Sequence, residues 1–242
     1  MAKVSTKNVG TAILGVFAAL ALSRSVDAQP NSSPRLADST ELNARQIDRV
    51  GDSLARENLE QRNFAEVDFT GADLRYANLT RAILTDADFT DARLDGAQMV
   101  RVNAQRASFQ HATLIRVELV RADLSGADLA NADLHDAVLV GALFTNARLV
   151  AASLDRVRAD DVVFRGAVLT DADLRGALLT GADLRSANLT NATLRRAVLV
   201  GADLRGAVLT GADLSDATFT DAVWDEATRW PSGFVPPGDG RR

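Results

Sequence analysis

From Phe64 onward the chain repeats one short pattern of apolar and polar positions. A large apolar residue recurs every fifth position: Phe64, Phe69, Leu74, Leu79, Leu84, Phe89, Leu94, Met99, and so on to Phe219 and Trp224. Two residues before each of these centres stands a small one, Ala72, Ala77, Ala82, Ala87, Ala92 and their successors up to Ala222. The run from Phe64 to Trp224 holds 33 such units, and a repeat of this extent takes precedence over any local reading. A helix would rotate the apolar stripe around its surface, because five residues make about 1.4 turns. One long strand would send successive centres to opposite faces, because five is odd. The chain must therefore turn once per unit. Glycine two positions after many centres (Gly71, Gly96, Gly126, Gly141, Gly176, Gly201, Gly211) suits such turns. Four sides of five residues close a square coil, although the periodicity alone admits other numbers of sides.

Two exceptions fit an inward-facing centre. Where the centre shrinks to Ala104 or Ala159, the residue two before it grows to Val102 or Val157. Small and large have been exchanged within one layer, as a close-packed interior requires. Val67, Val117 and Val162 are enlargements without exchange and predict a locally wider coil.

Outside the repeat the pattern changes. Over residues 39–60, Leu42, Ile47, Val50 and Leu54 follow a period near that of a helix, and Asp38 and Glu41 have capping-box spacing. This predicts a helical cap over the first coil, although Leu54 and Leu59 are also in phase with the five-residue repeat. Residues 29–38, QPNSSPRLAD, read as a flexible linker. Residues 1–28 carry Lys3 and Lys7, an uncharged run of 14 residues from Val9 to Leu22, and small residues before a predicted cut after Ala28. That is the layout of a secretory signal peptide, and the run is short for a membrane span. An uncleaved anchor or an amphipathic N-terminal helix is the competing reading. With cleavage, no stable membrane insertion is expected. Residues 230–242 form a closing segment and tail, where Trp230 and Phe234 join Trp224. These aromatics either cap the apolar end of the stack or form a binding platform; an exposed solenoid end favours capping.

The triplets Ala72-Asp73-Leu74, Ala127-Asp128-Leu129 and Ala202-Asp203-Leu204 resemble the motif of the pentapeptide repeat family, and the likeness extends over residues 61–229. The resemblance implies an all-β solenoid, a right-handed quadrilateral β-helix of about eight 20-residue coils. At a strand spacing of about 4.8 Å that is a rod of roughly 40 Å. It also implies that the centre and the residue two before it point inward. Residues 225–234 resemble a closing segment found after many such repeats.

Composition narrows the chemistry. The chain is 47% apolar but only 5% aromatic, so its interior is built from Ala, Leu and Val. With no cysteine, disulfides, thiolate metal sites and cysteine catalysis are excluded. His111 and His135 both face outward, and their spacing of 24 residues does not bring them together. Neither a metal site nor a cofactor is expected. Aspartate recurs one position before the centre (Asp73, Asp88, Asp123, Asp128, Asp133, Asp173, Asp183, Asp203, Asp213), as a solubilising, turn-bonding position would. Neighbouring carboxylates are then unavoidable and say little about acid–base catalysis. Asn78-Leu79-Thr80 and Asn188-Leu189-Thr190 match a glycosylation triplet that the repeat itself generates.

Reading every twentieth residue separates the sides. One side carries Arg165, Arg185 and Arg205 beside Asp183 and Asp203 and predicts a charge-balanced solvent face. Another presents Val100, Val120, Val138, Val140, Leu178, Val198 and Val200. This stripe is either a surface to be covered by a partner or β-branched filling of a sheet face. Arg158 and Asp160 interrupt it. The expected function is a non-enzymatic, extracytoplasmic scaffold or interaction module with a protein partner, most simply a second copy in a homodimer. Because some family members resemble a DNA duplex and inhibit DNA gyrase, the resemblance also implies an alternative: a DNA-mimicking inhibitor or protector of gyrase, should the N-terminus not direct export. Residues 61–230 hold 24 acids against 18 arginines, a modest excess for such a mimic, and no nucleic acid is expected as a partner. Catalysis is a third class, supported only by the abundance of carboxylates.

Overall fold

The computed structural model describes residue 51 and residues 53–236. The chain winds as a right-handed quadrilateral β-helix, in which each residue before a centre pairs in parallel with its counterpart 20 residues later, from Ser53 with Asp73 to Asp203 with Val223. The number of sides left open by the periodicity is therefore four. We number the faces by their centres: face 1 holds Phe64, Leu84 and Ala104, face 2 Phe69, Phe89 and Phe109, face 3 Leu74, Leu94 and Leu114, and face 4 Leu79, Met99 and Leu119, each continuing every twentieth residue.

Why five residues suffice follows from the fate of the backbone amides. The amide of centre Leu74 donates to the next coil at Arg93 O (2.7 Å), and that of Tyr76 to Asp95 O (3.0 Å). The amide of Arg93 donates to the preceding coil at Ala72 O (2.9 Å), and Ala77 N–H closes a β-turn onto Leu74 O (3.0 Å). Four of the five amides per unit are thus satisfied by backbone. The fifth, one after the centre, needs a side chain, and Asp73 Oδ1 accepts it from Arg75 (3.2 Å). The same bond recurs at Thr80–Asn78 (3.0 Å), Ser125–Asp123 (3.0 Å) and Thr190–Asn188 (3.1 Å). This is the physical origin of Asp or Asn in the repeat.

The interior is one column of layers. Leu134 and Leu174 are fully buried, as are Ala104, Val102, Ala159 and Val157, the exchanged pairs. Phe69, Phe89 and Phe109 stack at 4.8 and 4.9 Å between ring centres. Turn bonds donated by Val102, Val157 and Val162 measure 3.3, 3.4 and 3.3 Å, against 2.9 Å at Ala72 and Ala82. At Val67 and Val117 the corresponding bonds are 3.2 and 3.1 Å, within the 2.9–3.2 Å of the alanine corners, so among the valine corners only those next to Ala104 and Ala159 are lengthened.

The ends differ from expectation at one side. The helix expected over 39–60 does not occupy its last part: Ser53 and Asn58 already pair with Asp73 and Asn78, and Leu54 and Leu59 are buried centres. Both leucines satisfy either period, and the open edge of the following coil offers hydrogen bonds that a helix end would leave unused. The coil therefore begins by Ser53 rather than at 61. The rest of that helix, the 29–38 linker, the 1–28 leader with its cut after Ala28, and residues 237–242 lie outside the described residues. At the other end the register lengthens by one residue, and Val208 pairs with Arg229. Asp225 Oδ1 takes the Gly206 amide (2.9 Å), while buried Thr228 donates its hydroxyl to Leu204 O (3.0 Å). Trp230 then lies edge-on to Phe219 (5.8 Å) and Trp224 (5.7 Å) and stacks on Phe234 (5.2 Å), covering the last layer.

Candidate interaction surface

Each face shows solvent two columns, the residues before and after the centres, and each corner shows one more, two after the centre. On face 4 the first column contains Val138, Leu178 and Val198, and the second Val100, Val120, Val140 and Val200. All seven point outward; Leu178 is exposed and the other six are half-buried. The stripe read from the sequence thus lies on one face. Valine or leucine before the centre has no acceptor, so Val140, Thr180 and Val200 lose the side-chain partner that Asp73 gives Arg75. Forgoing such a bond costs about 1 kcal/mol where water does not replace it. The same exchange occurs at Ile83, Leu143 and Val163 on face 1 and at Val168 and Val208 on face 2. Sequence reasoning missed Ile83 and Leu143, which are exposed on face 1 just across the corner from the stripe. They occupy the position before the centre, so the signal was present in the same column arithmetic.

Charge on face 4 is unpaired. Among the described residues, no hydrogen bond or ion pair joins the side chains of Glu118, Arg121, Arg158, Asp160 or Asp161 to any other group. Arg158 and Asp160 flank one centre yet do not pair. The reverse order does pair: Arg75 Nε donates to Asp73 Oδ1 at 2.8 Å. There the carboxylate is already drawn toward the following residue by the amide bond it accepts, and the arginine side chain starts from that residue.

On face 1 a run of charges pairs along the rod. Asp183 accepts from Arg165 (2.7 Å) and Arg185 (2.7 Å), and Asp203 from Arg205 (2.9 Å). Arg185 also lies 3.5 Å from Asp203. This is the charge-balanced ladder expected for that face. Burial pushes the Asp183 carboxyl above its usual range against the pull of Arg165, with Asp203 adding to the rise. The Arg205 hydrogen bond holds Asp203 below it.

One grouping was not legible in the sequence. On face 3, His135 Nδ1 lies 2.6 Å from Asp155 Oδ1, and its Nε2 lies 3.3 Å from Asp136 and contacts Arg156. Burial opposes ionisation of Asp155, but hydrogen bonds from His135 and Ser153 outweigh it and keep the carboxyl below its usual range. Arg156 does the same for Asp136. The three residue types resemble a hydrolytic triad only by name: Ser153 Oγ donates to Asp155 at 3.1 Å, so the carboxylate stands where the histidine would have to be. His111 sits at the corner between faces 2 and 3 of one coil, His135 lies on face 3 of the next, and the two do not meet. Among the described residues, no group of His, Asp and Glu has the arrangement of a metal site.

Comparison with known proteins bears on both fold and class. The family model for pentapeptide repeats matches in 8 copies spread over residues 63–223. No curated protein matches the chain. Among solved structures it is similar to HetL, a pentapeptide repeat protein involved in heterocyst differentiation regulation in the cyanobacterium Nostoc sp. strain PCC 7120. That match has 27% identity, a TM-score of 0.63, and covers 89% of this chain and 98% of HetL. Rfr23 from the cyanobacterium Cyanothece 51142 is 37% identical over 45% of this chain and 63% of its own, with a TM-score of 0.26. QnrB1, a plasmid-mediated fluoroquinolone resistance protein, is 19% identical over 81% of this chain and 92% of its own, with a TM-score of 0.36.

Proposed function

Because the chain belongs to the pentapeptide-repeat family and is not an enzyme, we propose that it acts by contact alone, as an extracytoplasmic scaffold or interaction module. The observation that carries this reading is face 4. Its two outward columns carry seven aliphatic side chains, and the charges that interrupt them, Arg158 and Asp160, have no ion-pair partner among the described residues. A surface so arranged is matched to another protein, whose groups supply what the rod itself does not. The extracytoplasmic address rests on the basic, apolar and small-residue layout of residues 1–28.

The test is processing and location together. A C-terminally tagged full-length chain is expected outside the cytoplasm of its native host, with an N-terminus beginning at Gln29. A soluble cytoplasmic form starting at Met1 or Ala2 would sink the extracytoplasmic reading and return gyrase to the list of partners to be assayed.

A further inference from the structure

The unpaired charges of face 4 and its adjoining corner are ordered. Along the column before the centres the chain places Glu118, Val138 and Arg158 one coil apart. Along the corner after the centres it places Arg81, Arg101, Arg121, Gly141, Asp161, Gly181, Gly201 and Asp221. The corner is basic in its N-terminal half and acidic or bare in its C-terminal half, with Gly141 at the change of sign. Both columns thus reverse their charge about the same coil, the one carrying Val138, Val140 and Gly141. A surface whose charge inverts about its own midpoint is complementary to itself turned end for end.

We propose that face 4 is the interface of an antiparallel homodimer, with its two-fold axis lying in the interface along the 138–141 strand. The inference rests on the contact function argued above and names the second copy of this chain as the partner. Rotation about that axis sets each column against itself in reverse order. Val138 then faces Val138 and Val140 faces Val140, with Gly141 adding no bulk at the axis. One coil away Glu118 meets Arg158 of the second copy and Arg121 meets Asp161, each pair occurring twice, while Val120 lies opposite Asp160, with Arg121 of the same strand next to it. Two and three coils away Arg101 and Arg81 lie over Gly181 and Gly201, where no side chain opposes them.

The register is specific. Moving the axis one coil toward the N-terminus sets Glu118 on Glu118 and Arg121 on Arg121. Moving it one coil the other way sets Arg158 on Arg158 and Asp161 on Asp161. A parallel dimer exchanges the two columns, which sets Arg158 on Asp160 but also Glu118 on Val120, and it carries Arg121 and Asp161 to opposite edges of the contact. The contact covers a few hundred Å² on each copy, less than the roughly 800 Å² of a standard interface. Association is accordingly weak, and added salt weakens it further by screening the ion pairs.

Charge reversal tests the arrangement. The chain as processed by its host is followed by sedimentation velocity across the micromolar range at low salt. Glu118→Arg and Arg158→Glu each set like charges together twice and are expected to weaken self-association at least about tenfold. The double variant restores opposite charges, and so does an equimolar mixture of the two single variants, which should form a heterodimer. Both side chains are exposed, so unchanged thermal melts verify that the variants fold. A wild type that stays monomeric overturns the proposal, as do single variants that associate normally. Failure of both the double variant and the mixture to recover association overturns the antiparallel register. A monomer found outside the cytoplasm would end the homodimer and leave the proposed function standing, whereas a dimer confined to the cytoplasm would do the reverse.

Discussion

Aspartate before a centre has a backbone task, accepting the amide that no carbonyl reaches, and at Asp73 it also holds an arginine. The Arg75 guanidinium keeps the Asp73 carboxyl at about 2, against about 3.9 in an unfolded chain. A depressed folded value means that the unfolded chain binds the proton first. The resulting stability is complete above about pH 4 and is lost as pH falls toward 2. The pair sits at the surface, where such a contact is worth under about 1 kcal/mol. Asp73→Asn keeps an oxygen for the Arg75 amide and loses only the charge; Asp73→Ala loses both, costing about a further 1 kcal/mol. Urea unfolding should rank wild type above Asn above Ala at pH 7, with the gap between wild type and Asn closing as the pH reaches about 2. A gap that persists unchanged at that pH would show that the charge is not what stabilises the wild type.

At the scale of the corner, the third residue of every turn has a left-handed backbone. Glycine accepts this freely, as at Gly96 (φ 65°) and Gly201 (φ 66°), but Tyr76 (φ 59°) and Arg121 (φ 55°) carry side chains there. A β-carbon at Gly201 would meet nothing within 4 Å, whereas one at Gly96 would lie 2.7 Å from the Tyr76 ring. Gly201→Ala therefore isolates backbone strain, about 1 kcal/mol, and Gly96→Ala must also displace an aromatic ring. The second is expected to lower the melting temperature more. Equal losses would mean that Tyr76 already moves freely off the corner. Such corners also explain what the sequence revealed. Leu134 and Leu174 were legible as buried because each centre repeats its neighbour's chemistry at a fixed interval. The cluster of His135, Asp155, Asp136 and Arg156 was not, because these residues meet only across neighbouring coils once the number of sides is fixed at four. Leu54 and Leu59 were placed in a helix because two apolar residues five apart satisfy both periods.

In the whole molecule each coil touches only the coil above and the coil below, so stability is close to a sum of local layers and their junctions. Damage at one end should stay near that end. Trp230 makes this testable, since it alone touches both Phe219 and Trp224 among the ring contacts that close the last layer, and those two side chains are each only 5% exposed. Trp230→Ala opens the C-terminal layer to water and removes a half-buried aromatic contact, a change that costs less than the about 3–5 kcal/mol of a fully buried aromatic. In a globular domain that loss would be shared by every residue through one cooperative unfolding step. In a stack it is confined to the coils that must open to relieve it. Amide exchange measured segment by segment should therefore be slowest in the middle coils of the wild type. In the variant it should accelerate over residues 204–229 while segments around Leu114 and Leu134 keep their protection. The amides to watch are Leu204 and Leu209, which donate to Val223 O at 2.8 Å and Arg229 O at 2.6 Å and so hold the final coil to the rod. Equal acceleration along the whole rod would show that the layers unfold as one unit and that the cap stabilises all of them.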